Sequence, residues 1–82
     1  MDTIELDVKI LNKLLNSKLF LDKYPIIDRV AVDKYGRVIE IVLIVNNTKE
    51  YFYNLGLRDE INSFIRDIAK SASVDSYFNV YP

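Results

Sequence analysis

The chain has 82 residues, 50% hydrophobic and 28% charged, with a formal net charge of −1 and neither His nor Cys. This size and balance predict a single folded domain around one core. Without His or Cys, disulfides, the usual zinc and copper ligand sets, and Ser-His-Asp or Cys-His catalytic units are excluded.

The near-neutral charge gives no overall pull toward nucleic acid or an acidic membrane surface. Asp2, Glu5 and Asp7 stand where a basic leader would be, and no apolar run approaches the roughly 18 residues of a membrane span. A cytoplasmic protein with no membrane attachment is expected. Heavy use of Ile, Lys, Asn and Tyr is what an AT-rich coding genome produces, such as that of a thermophilic archaeon or its virus.

Along the chain, Ile4, Val8, Leu11 and Leu15 recur at helical spacing and predict a helix from about Thr3 to Ser17, with Ile10 and Leu14 widening the stripe. Asp2 and Glu5 fit a capping box. A short first strand, Thr3–Val8, ahead of a shorter helix is the alternative. Leu19-Phe20-Leu21 extends the segment until Pro25 ends it. A strand is expected from Ile26 to Asp33, then a tight turn in which Gly36 supplies a positive φ.

The next run, Val38 to Val45, is the most telling in the chain. Read with period two, Ile39, Ile41, Leu43 and Val45 point one way, while Val38, Glu40, Val42 and Ile44 point the other. A half-exposed strand would alternate apolar and polar residues, so this one is expected at the centre of a sheet with cover on both sides. Asn46–Lys49 reads as a second hairpin turn and Glu50–Tyr53 as a third strand. Leu57, Ile61, Ile65, Ile68 and Ala72 then mark a second amphipathic helix, starting at Asn54 or Gly56 and ending at Ser71–Ser73. The tail carries Val74, Phe78 and Val80 on one parity, as a fourth strand or an ordered arm. The predicted fold is α+β: a three-stranded antiparallel meander packed by two helices (α-β-β-β-α), with a possible C-terminal fourth strand.

Both helices should cover the face of Ile39, Ile41, Leu43 and Val45. Val38, Val42 and Ile44 would then face outward, which predicts a homodimer or a protein partner over them. Glu40, on that same face, should reach solvent or pair with Arg29 or Arg37. The cluster Tyr51, Phe52, Tyr53, Tyr77, Phe78 and Tyr81 could stack single-stranded nucleic acid, yet lacks the basic groove that normally accompanies such platforms; packing explains it better. Lys9, Lys13, Lys18 and Lys23 read as a solvated face. The element order resembles the double-stranded-RNA-binding domain, but Leu57-Arg58-Asp59-Glu60 puts carboxylates where that family opens its last helix on phosphate. No convergent acid–base set, cofactor site or metal site can be named, so catalysis is not expected.

Leu57-Arg58-x-x-Ile61-Asn62-Ser63-Phe64-Ile65-Arg66 resembles a signature in the last helix of the small dimerisation subunit of the KEOPS complex, which makes threonylcarbamoyladenosine in transfer RNA. The resemblance implies a non-catalytic subunit that dimerises through its sheets and docks partners with its helices. It would make Arg58, Asn62 and Arg66 docking residues in a tRNA-modification complex. Unlike that family, the chain is predicted to begin with a helix, and Asn46–Gly56 is longer than the family's strand-to-helix junction. The expected function is thus a non-catalytic interaction or scaffold domain, with an RNA- or DNA-binding module as the alternative.

Overall fold

A computed structural model describes residues 2–73 and 75–82. The first helix, α1 (Thr3–Leu15), opens where the sequence places it, because Asp2 Oδ1 accepts the Glu5 backbone N–H at 2.8 Å. Leu11 and Leu15 are buried and Ile4 and Val8 half-buried, so the centre of the predicted stripe faces the core, while Ile10 and Leu14, expected to widen it, are exposed; among the described residues no strand precedes the helix. A second short helix, α2 (Lys18–Lys23), is capped by Ser17 and stops at Tyr24, just before Pro25.

The hairpin follows: β1 (Ile27–Tyr35) pairs antiparallel with β2 (Val38–Val45) across the loop Gly36-Arg37. Gly36 has φ 62°, a left-handed conformation in the first loop position that glycine adopts without steric cost. Ile27 pairs with Val45 and Arg29 with Ile44, which leaves Asp28 as an extra residue in β1. That bulge lets Ile27 and Val30, three residues apart, both point into the core. Asn46 pins it by donating from Nδ2 to the Pro25 carbonyl at 2.7 Å and to Asp28 Oδ1 at 3.1 Å.

Beyond β2 the structure departs from the antiparallel meander. Glu50–Tyr53 is not a strand but part of a helix, α3 (Thr48–Tyr53), and Asn47 is its N-cap rather than a turn residue, accepting the Glu50 N–H at 3.0 Å. The helical turn buries Tyr51, whose hydroxyl donates to Asn62 Oδ1 at 2.7 Å. Asn54 caps α4 (Leu55–Ala69) in the same way, so Asp59 and Glu60 sit in its second turn rather than its first. The third strand is the C-terminal segment, β3 (Ser76–Tyr81), parallel to β2; Val74 lies outside the described residues. A parallel neighbour needs a long crossover, and α3 and α4 provide it. The sheet is therefore mixed, in the order β1-β2-β3, within an α+β chain of four helices among the described residues.

Helices pack against one face only. Ile39, Ile41, Leu43 and Val45 are buried there with Leu11 and Leu15 of α1 and Ile61, Ile65 and Ala69 of α4. Phe20, Tyr24 and Phe64 add an aromatic cluster, with the Phe20 and Phe64 rings stacked at 5.2 Å and Tyr24 edge-on to Phe20 at 5.3 Å. The Tyr24 hydroxyl donates to Glu60 Oε1 at 2.9 Å. No charged side chain is buried among the described residues.

Polar contacts add to the apolar packing that holds α1 to the rest of the chain, among them Lys34 Nζ to Asp2 Oδ2 at 3.4 Å. The Asn16 amide donates to the Val30 carbonyl at 2.6 Å and accepts the Val30 N–H at 2.9 Å, imitating a neighbouring strand along the outer edge of β1. Replacing it with Ala should cost about 1–3 kcal/mol in urea unfolding, because both Val30 groups lose their partner at once. Asp7 accepts from the Ser73 N–H at 2.9 Å and the Ser73 hydroxyl at 2.7 Å, tying α1 to the segment before β3. These bonds, the backbone one foremost, hold the Asp7 pKa below the usual carboxylate range. A lowered folded pKa contributes stability that is present above the unfolded value near 4 and lost as pH falls through the folded one. Asp7→Asn should therefore flatten the dependence of stability on pH below about 4, measured as urea midpoints across an acid series.

Candidate interaction surface

The face of the sheet turned away from the helices carries the side chains that the sequence singles out. Val38, Val42 and Ile44 alternate with the fully buried residues of β2, are half-buried, and are not among the residues packed against the core. Strand pairing arranges their neighbours in rows. Ile44 lies between Arg29 of β1 and Tyr81 of β3, and Val42 between Ala31 and Asn79. Glu40 lies between Asp33 and Tyr77, and Val38 is opposite Tyr35. Tyr35, Tyr77 and Tyr81 are 70%, 41% and 52% exposed, so the apolar strip is bordered by rings at several corners. The outward side of the central strand is thus apolar except at Glu40, and polar groups and tyrosines border it.

The electrostatics of this face are uneven. Asp33 and Glu40 are direct cross-strand partners, an arrangement that repels. Among the described residues neither forms a salt bridge; Glu40 accepts from the Asn79 amide at 3.4 Å and is also within hydrogen-bonding reach of the Tyr77 hydroxyl. The expected pairing of Glu40 with Arg29 or Arg37 is absent from those bridges. Arg29 belongs to the row of Ile44, two rows away along the strands. The face thus has a basic end and an acidic end, separated by the row of Ala31, Val42 and Asn79. This acid pair follows from the two-residue loop, which sets Tyr35 against Val38 and hence Asp33 against Glu40. Sequence patterning alone did not single it out.

The proposed helix-face residues are placed differently. Arg58 is half-buried, with a guanidinium nitrogen 3.4 Å from the Phe52 carbonyl, and Asn62 is engaged by the Tyr51 hydroxyl. Arg66 alone of the three is exposed. The aromatic residues read as one cluster are dispersed: Tyr51 is in the core, Phe78 faces the helices, Tyr77 and Tyr81 lie on the open sheet face, and Tyr53 is in solvent. The four N-terminal lysines are exposed; Lys18 lies 4.0 Å from Asp22, and Lys23 sits over the Tyr24 and Phe64 rings at 5.5 and 5.6 Å.

A second apolar surface was not anticipated. Leu14, Leu19, Phe20, Phe64 and Ile68 line a cleft of about 350 Å³ between α1, α2 and α4. Leu19 is 84% exposed. Its signal was the surplus of apolar residues in the first 21 positions, more than one buried stripe can use.

Among the described residues no group of three or more His, Cys, Asp or Glu side chains is placed to hold a metal ion, and no helix is long and apolar enough to cross a membrane. No protein-family model matches the sequence, and comparison with curated proteins gives no match.

Tyr77 reports on the acidic end of the open face. Its phenol pKa is pushed above the ordinary tyrosine value, first by desolvation and then by the charge of Glu40 and the proximity of Tyr35. Glu40→Gln should bring the Tyr77 titration part of the way back, read from its ring resonances by NMR. An unchanged titration would mean that β3 is not registered against β2 as described.

Proposed function

We propose that this chain is a non-catalytic interaction domain whose working surface is the open face of the sheet. The observation that carries the reading is the central strand: Val38, Val42 and Ile44, with Glu40 among them, lie on a face over which none of the described helices packs. Whatever part of each such side chain stays in water forgoes transfer free energy in proportion to its exposed apolar area, about 25 cal/mol per Å². A partner sheet or helix laid across the strip recovers it.

What the face lacks argues in the same direction. Among the described strand residues its carboxylates sit at one end beside tyrosines and its one arginine at the other, which is not the basic track that a phosphate backbone requires. The likeness of Leu57–Arg66 to the KEOPS dimerisation subunit agrees with a non-catalytic, sheet-mediated role. Placement in a tRNA-modification assembly rests on that string alone, with Arg66 as its accessible residue.

Val42→Glu tests the reading directly. It puts a charge in the middle of the strip without touching the core, so the chain should keep its helical circular dichroism while losing association by sedimentation equilibrium. A variant that remains as associated as the parent removes the open face from consideration.

A further inference from the structure

We propose that the molecule covering the open face is a second copy of this chain, docked with strands antiparallel so that Arg29 of each copy rests on the Asp33–Glu40 pair of the other. The inference deepens the reading of the open face as the working surface and depends on it. Its independent content is the occupant and its orientation.

The argument starts from the acid pair. Two carboxylates placed directly opposite one another on adjacent strands repel, and no salt bridge among the described residues relieves them. The same face holds one unpaired cation, Arg29, four residues along β1 from Asp33, which at about 3.3 Å per residue is roughly 13 Å away. That is too far for a contact within one copy. It is the right offset for a two-fold axis lying across the strands at the row of Ala31 and Val42, which sits midway.

Rotation about that axis lays β1 over β1 and exchanges the row of Arg29 with the row of Asp33 and Glu40. Each guanidinium then meets two carboxylates, twice per dimer. Val42 meets its own counterpart at the axis, and Tyr77 of one copy comes opposite Tyr81 of the other. Facing sheets lie about 10 Å apart, a gap that an arginine side chain spans. The other face-to-face two-fold, parallel to the strands, keeps rows on rows and would stack acid pair on acid pair. Charge complementarity therefore selects one of the two arrangements, as expected of an isologous interface.

Charge reversal tests this with the full chain. Arg29→Asp alone, and Asp33→Arg with Glu40→Gln, should each weaken self-association by about tenfold or more, because each places like charges at both contacts. Mixed in equal amounts, the two variants should form a heterodimer of near-parental affinity, resolved by mass in native mass spectrometry. All the altered side chains are outside the core, and circular dichroism verifies that each variant folds. If Val42→Glu dissociates the parent but the mixture gives no heterodimer, the orientation is wrong and the interface stands. A parent that is monomeric at tens of micromolar overturns the second copy as occupant, whereas a dimer indifferent to Val42→Glu overturns both readings.

Discussion

Everything in this molecule follows from a strand that is apolar on both faces in a chain with helices for only one. β2 is flanked by β1 and β3 and buried beneath α1 and α4. The helices share that side for topological reasons: α1 and α2 lead into the hairpin, while α3 and α4 form the crossover that a parallel third strand requires. An 82-residue domain has a total stability of about 4–12 kcal/mol at typical values per residue, so a strip of wet aliphatics weighs heavily against it. The strip persists without a disordering cost because the opposite face alone supplies a closed core.

Much of this was legible in the residues. The spacing of Ile4, Val8, Leu11 and Leu15 with Asp2 ahead of them fixed the first helix, and Gly36 fixed the hairpin. The double apolarity of Val38–Val45 identified both the central strand and its uncovered side. The failure came at Asn46–Tyr53, where Tyr51, Phe52 and Tyr53 have strand propensity and Asn is common in turns. Propensity lost there to capping: Asn47 and Asn54 each bind an N–H three residues on, and two short helical starts replace turn and strand. With that segment helical, the vacant place beside β2 went to the C-terminal run. Its partner 37 residues earlier in the chain leaves no local trace in its own sequence.

The two edges of the sheet are treated unequally, and this bears on how copies could meet. Asn16 occupies the backbone groups of Val30 and closes β1, as does the bulge at Asp28, which spoils the regular repeat a pairing strand would need. Among the described residues β3 has no strand beyond it, the opening for edge-to-edge extension into a six-stranded sheet. Such an extension would pair backbone groups yet leave Val38, Val42 and Ile44 as wet as before, now in a patch twice as wide. It answers a hydrogen-bonding opportunity and ignores the larger hydrophobic one, which only a molecule across the face can satisfy.

Apolar contact of this kind has little directional preference, and a flat strip of valine and isoleucine would accept many partners in many registers. The charges supply what the aliphatics cannot. Asp33 opposite Glu40 is a local conflict in the isolated chain, and local conflicts that folding leaves in place tend to mark sites of function. Its cost falls on every partner that lacks a cation at the matching position, whereas Arg29, displaced by four residues on the same strand, meets that demand in a rotated copy. The same three residues therefore penalise the parallel arrangement, penalise neutral or acidic surfaces, and favour one docking geometry. In the proposed docking, specificity is carried by a repulsion that only the correct neighbour removes.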